Sequence, residues 1–472
     1  MSEAAPSVRW FRRIGPGLIT ACVVIGPGSI VTSSTVGTKN GFSMLWVVVV
    51  SVIFMMTYMT MGARLGAVAA DAPGNLIRQK AGRWLAILVG ICVFFISAAF
   101  QSGNNRGVAA AFEAFTRSKP VIVGLVLAFN AVAISFLFLF QNLYKVLERL
   151  MTIFVGVMLV SFAVNLIALK PDPAAMAKGF LPISGNISIE VLGLVGTTFV
   201  ITAAFYQAYL VRQKGWTKAE LSSGLLDARV GSVIMAVITI MLMSTTAAGF
   251  YGKPTVPELS SPVAIAAALR GTFGAAAEVI FCLGLFSAAY SSFIVNSMIG
   301  GFMAADGFGL GEQPADKWPR ILTTLALLTG MVVALATMVL GIDATTTLIA
   351  AQAFTVVGAP LVAGVLLWLT SRRDIMGDQV NGPITIAIAG IGFVMLLLMA
   401  GDTALNRIPA KIDAYLNPPP PVVQAANEAP SVEDNEAAGS LNDASSTDVE
   451  ETETAAANAE KVSPTASEST EK

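Results

Sequence analysis

The spacing of the apolar stretches constrains this chain more than any other feature. Runs long enough to cross a bilayer fall at about 15–38, 42–70, 84–115, 120–141, 146–169, 188–212, 224–250, 272–304, 319–341, 345–371 and 382–401. A hydrocarbon core about 30 Å thick takes about 20 helical residues, so each run predicts one span. In lipid every backbone polar group must find its partner inside the protein, which leaves helices or closed barrels. Runs of this length predict helices, and the chain reads as an all-α integral membrane protein. Composition agrees, with 55% hydrophobic and 12% charged residues among 472. A net charge of −1 supplies no basic field for nucleic acid.

Seventeen Lys and Arg residues fall on the side of the N-terminus, Arg12, Arg83, Arg212 and Arg372 among them, against seven on the other, such as Lys39 and Lys253. The positive-inside rule then places residues 1–14 in the cytoplasm and, after eleven spans, the C-terminus outside. The N-terminus lacks the pattern of a cleaved signal peptide. The expected location is the inner (plasma) membrane of a bacterium. After about Asp402 a short amphipathic piece, Thr403–Leu416, leads into Pro418–Pro421 and then a run of Ala, Ser, Thr, Glu and Asp. Residues 402–472 therefore read as a disordered acidic tail.

Within the first span lies Gly26-Pro27-Gly28-Ser29. Proline removes a backbone donor and glycine relaxes the helix, so the span should break there. Broken helices at mid-membrane are how many secondary transporters frame a substrate site. The sixth span, Leu192–Arg212, carries Thr197, Thr198, Thr202, Tyr206, Gln207 and Tyr209 in an apolar frame. Two interrupted helices five spans apart fit two inverted five-helix repeats, about 15–170 and 188–371, plus an eleventh helix.

The third span contains Gln101-Ser102-Gly103-Asn104-Asn105-Arg106. Gln101 and Asn105 share a helical face, as do Ser102 and Arg106. A buried arginine faces a cavity or a partner, or else snorkels to the outer surface from a long helix. The amides beside Arg106 favour a polar cavity. In the eighth span Tyr290, Ser291, Ser292 and Asn296 either line a pathway or bond between helices. Gln352 is the strongly polar residue deep in the tenth span. The chain has no histidine, which removes the commonest metal ligand and the usual proton relay. The acids Glu113, Glu148, Glu190, Asp227, Glu278, Asp306 and Asp343 mostly fall near span ends. Cys22, Cys92 and Cys282 read as small core residues. Nothing resembles a nucleotide loop or a catalytic triad, so no catalysis and no cofactor are expected.

These motifs resemble the Nramp family of divalent-metal transporters. The family pattern DPGN, three residues, D, three residues, GA, two residues, GY, two residues, LW is similar to Gly26-Pro27-Gly28-Ser29, then Ser33, Gly37-Thr38, Gly41-Phe42 and Leu45-Trp46. Gly284-Leu285 through Ser291-Ser292 to Gly307-Phe308 resembles its eighth span, and Asp227 and Gln352 also fit. The resemblance covers about residues 11–400 and implies a LeuT-like fold working by alternating access. It departs at the ion site. The family's metal-binding Asp and Asn correspond to Gly26 and Ser29. Its Met-Pro-His becomes Val200-Ile201-Thr202, its next histidine becomes Gln207, and its proton-relay acids fall at about Ala99 and Ser102.

The scaffold thus implies a secondary transporter, while the neutral centre and Arg106 point to a carboxylate-bearing solute or a metal–organic-acid chelate, citrate-like and iron-bearing in one form. On that reading Gly26, Ser29, Gln101, Asn104, Asn105, Arg106, Thr202, Gln207 and Gln352 line the substrate site, and no protein ligand set holds a bare metal. The alternative is a hydrated Mg²⁺ or Mn²⁺ ion held through its waters by Ser29, Thr202 and Gln352. A further alternative is a membrane sensor or interaction protein without transport. The partners are a small-molecule substrate and the lipid bilayer.

Overall fold

Pro27 decides the first turn of the architecture. The first span forms α1 (Pro16–Val24) and α2 (Pro27–Asn40), bent by 61° at the two residues between them. Ile25 and Gly26 leave helical geometry, and Pro27 starts α2 where its missing N–H costs nothing. The computed structural model describes residues 15–140, 142–182, 188–253, 259, 261–340 and 345–417. The first 14 residues, residues 418–472 and the side chain of Gln352 lie outside that set.

The chain continues through α3 (Leu45–Val68), the short α4 (Pro73–Ala81), α5 (Arg83–Glu113), α6 (Lys119–Leu139), α7 (Leu143–Ala168) and α8 (Pro173–Lys178). The sixth apolar run is interrupted as expected, into α9 (Ile189–Thr198) and α10 (Ile201–Lys214). Then come α11 (Leu221–Phe250), α12 (Pro262–Phe273), α13 (Ala275–Phe308), α14 (Lys317–Val339), α15 (Thr345–Thr370), α16 (Arg373–Met376), α17 (Pro383–Asp402) and α18 (Ile408–Leu416). Every regular element among the described residues is helical. Among the described residues nine helical stretches, α9 with α10 counted as one of them, are long and apolar enough to cross a membrane, ten with the bent α1–α2 pair counted as one span. The 26-residue α15 fills the place of the tenth run.

Two differences from the sequence reading stand out. The helices α4 and α12 are additional, each begun by a proline at its first turn and stopped by a glycine of positive φ, Gly82 and Gly274. Helical structure also continues past residue 402, through a π-helical turn at Thr403–Arg407 and then α18. Helix thus extends to Leu416, beyond the expected boundary at residue 402.

Burial sorts the helices. In α13, 78% of the most apolar stretch is buried inside the protein, against 17% for the last span, so α13 is central and α17 peripheral. The broken helices sit beside α13. On the other side α3 presents Gly62 and Gly66, a small-xxx-small pair, to α10. A Cβ at either glycine would overlap a carbonyl oxygen of α10, Ala204 O or Ala208 O respectively. Only hydrogen fits, and that lets the two backbones touch.

Candidate functional site

Breaking α1 leaves its last carbonyls without helical donors. Serine hydroxyls fill the gap. Ser291 Oγ donates to Cys22 O (3.4 Å), Ser292 Oγ to Val23 O (3.1 Å) and Ser29 Oγ to Val24 O. The second break lies alongside: Ser29 Oγ is 3.4 Å from Thr197 O, and the hydroxyls of Thr32 and Thr197 bond at 2.9 Å. Thr202 begins α10 just past the break, and its hydroxyl has no hydrogen bond among the described residues.

From α5, Gln101 Nε2 donates to Phe293 O (2.6 Å), while its Oε1 accepts from Asn104 Nδ2 (2.8 Å). This clamp turns Asn104 Oδ1 toward Gly26. A methyl group at Gly26 would stand 3.5 Å from that oxygen and 3.0 Å from Ser292 Oγ. The space of a side chain at position 26 is thus flanked by an amide oxygen and a hydroxyl from two other helices. Gly26, Ser29, Asn104 and Ser292 come together at the break, with Gln101 positioning Asn104.

The remaining sequence candidates are placed elsewhere. Asn105 turns to α6: its Oδ1 accepts from Asn130 Nδ2 (2.7 Å), and its own Nδ2 donates to Gln101 O. Arg106 is exposed and donates to Thr337 Oγ1 on α14 (3.1 Å), away from the break. A charge on a long flexible stem gains more from the surface than from a buried neutral site. Gln207 is fully buried below the break, not in it; it accepts from Thr20 Oγ1 (2.5 Å) and donates toward Asp227 Oδ2 (3.4 Å). Gln352 lies outside the residues whose side chains are described.

Gln207 belongs to a seal. Asp227 on α11 accepts from Gly15 N (2.7 Å) and Gly17 N (2.6 Å), so its carboxylate caps the positive end of α1. A second carboxylate, Asp306 on α13, accepts from Tyr209 Oη and Gly74 N, both at 2.7 Å. Arg212 reaches Ala69 O (3.0 Å) and Glu312 (3.4 Å). Three residues of α10 thus tie it to α11, α13 and the α3–α4 corner. Residues 15–27 are buried without interruption, and exposure begins at Gly28. From there a partly exposed strip, Gly28, Thr32, Thr35 and Lys39, climbs α2 to an ion pair between Lys39 and Glu190 (2.5 Å). The site is shut at the α1 end and approached along α2. Positions at i, i+4, i+7 and i+11 carried that strip in the sequence.

The profile of the natural resistance-associated macrophage protein-like family, Nramp, matches residues 17–405. The chain belongs to the Nramp family. Nramp proteins are membrane transporters and not enzymes, and this one is a multi-pass membrane protein. The divalent metal cation transporter MntH of Chromohalobacter salexigens is 28% identical over 414 residues, covering 84% of this chain and 90% of the relative. The MntH of Deinococcus radiodurans is 26% identical over 401 residues, covering 82% and 88%. A crystal structure of the Eremococcus coleocola manganese transporter, bound to an aromatic bis-isothiourea substituted compound, matches with TM-score 0.72 at 19% identity, over 89% of this chain and 91% of that one. MhsT in complex with L-phenylalanine matches with TM-score 0.53 at 17% identity, over 85% and 100%. These likenesses establish the LeuT-like fold.

This Nramp protein has two breaks, at Ile25–Gly26 and at Phe199–Val200. Among the described residues no three or more of His, Cys, Asp and Glu group together as a metal site. The donors at the break are neutral oxygens.

Proposed function

We propose that this Nramp protein carries a divalent metal ion that keeps much of its water shell, Mg²⁺ or Mn²⁺, by alternating access in a bacterial inner membrane. Its α1 end then faces the cytoplasm. The observation that carries the reading is the convergence of Asn104 Oδ1 and Ser292 Oγ on Gly26. Neutral oxygens offset little of the cost of stripping a small divalent ion, which dehydrates reluctantly. They accept hydrogen bonds from its coordinated waters instead, with Thr202 available across the second break. Membership of a family whose relatives are named for divalent metal cations supports a metal cargo. The carboxylate or citrate reading rested on the neutral centre together with Arg106, and the Arg106 side chain bonds to α14.

Purified protein in liposomes loaded with a divalent-ion dye should show saturable Mg²⁺ or Mn²⁺ entry. Asn104→Ala should slow it about tenfold, the value of one hydrogen bond to a charged group of ~1.5 kcal/mol. Uptake of labelled citrate with no saturable metal entry would overturn the proposal.

A further inference from the structure

At the sealed end of the molecule, away from the breaks, α15, α17 and the start of α5 border an open, shallow apolar groove of about 390 Å³. Its walls include Leu85, Pro360, Gly364, Trp368 and Phe393. Pro360 and Gly364 are one turn apart on α15, so their small side chains open the groove along one helical face.

The rim is basic. Arg372 lies 5.2 Å over the Trp368 ring and pairs with Asp374 through Nε (2.9 Å) and Nη2 (3.0 Å). Lys80, next to groove residue Ala81, pairs with the same carboxylate at 2.9 Å. These two cations, Arg372 first, hold the Asp374 carboxyl well below the usual range, so it stays ionised. One acid thus serves two cations. Arg83 and Arg373, each within two residues of a rim or wall residue, are exposed and have no ion pair among the described residues. The exposed Trp84 beside them is a side chain that suits a membrane interface.

We infer that this groove holds an acyl chain of an anionic phospholipid, with the headgroup phosphate on the rim of Lys80, Arg83, Arg372 and Arg373. A groove in a membrane protein is covered by some lipid in any case; the surplus of positive charge selects an anionic one. Basic side chains at such a surface contribute about 1 kcal/mol each, or about fivefold in affinity. The occupant would bridge α15 and α17 to the α4–α5 corner.

Native mass spectrometry of the full chain in detergent, titrated with phosphatidylglycerol or phosphatidylcholine of identical acyl chains, tests this. Phosphatidylglycerol should bind at least about fivefold more tightly. Arg83→Gln with Arg373→Gln should remove most of that preference, and Asp374→Asn, which frees Lys80 and Arg372, should enlarge it. Gly364→Leu, which fills the groove, should lower the number of tightly held phosphatidylglycerol molecules by one. Equal affinity for the two lipids, or a preference that none of these variants changes, would overturn the assignment. Should the double variant not fold, Asp374→Asn still decides by its opposite sign.

Discussion

Gly26 shows how one residue sets the chemistry. A Cβ there would stand 3.0 Å from Ser292 Oγ and 3.5 Å from Asn104 Oδ1, so glycine leaves the space between those two oxygens open. Asp227 works in the opposite direction. Its carboxylate spends both oxygens on the N-terminus of α1 and is reached by Gln207 as well. Replacing it with alanine should cost about 1–2 kcal/mol of stability, as for a lost helix cap assisted by the dipole. It should also loosen α1, and Cys22 reports on that: it is fully buried on α1. With Cys92 and Cys282 changed to serine, Asp227→Ala should speed maleimide labelling of Cys22 by at least about fivefold, a population shift of ~1 kcal/mol. Unchanged labelling would mean that Asp227 does not hold the seal.

At the scale of elements, the paired breaks and the close crossing of α3 on α10 matter most. α10 carries Gln207, Tyr209 and Arg212, which face three different neighbours, and it moves only if all three contacts are released. The Gly62 and Gly66 contact holds α3 directly against the α10 backbone. Gly66→Leu should push α3 from α10 and destabilise the protein by about 1–3 kcal/mol, read as a lower Tm. A leucine at exposed Gly103, where added atoms meet nothing, should leave Tm unchanged and serves as the control. The serines of α13 act on a different element, since their hydroxyls replace the helix donors that α1 lost at its break.

The whole molecule is asymmetric along the path through the breaks. Two carboxylate-centred networks close one end, while a strip of threonines and the Lys39–Glu190 pair mark the other. Under the proposed orientation that second end faces outward. Lys39→Cys should therefore react with a membrane-impermeant maleimide in intact cells, since Lys39 is 57% exposed. Protection in intact cells with labelling only after lysis would reverse the orientation.

Much of this was legible in the residues alone. Length and hydropathy bounded the spans because a bilayer demands about 20 apolar residues in a row. Gly26-Pro27-Gly28 located the break because proline cannot continue a helix from within. The resemblance also showed Gly26 where the family pattern has an aspartate and Ser29 where it has an asparagine. What the sequence did not determine was the direction in which each polar side chain of a span points. Gln101, Asn104, Asn105 and Arg106 are neighbours in the chain, yet successive helical positions are about 100° apart. They turn to α13, the break, α6 and α14 respectively. Which of them serves the break depends on which helices surround α5, and that is set by long-range packing. The sequence located the break at Gly26; only the tertiary structure brought Asn104 and Ser292 to it.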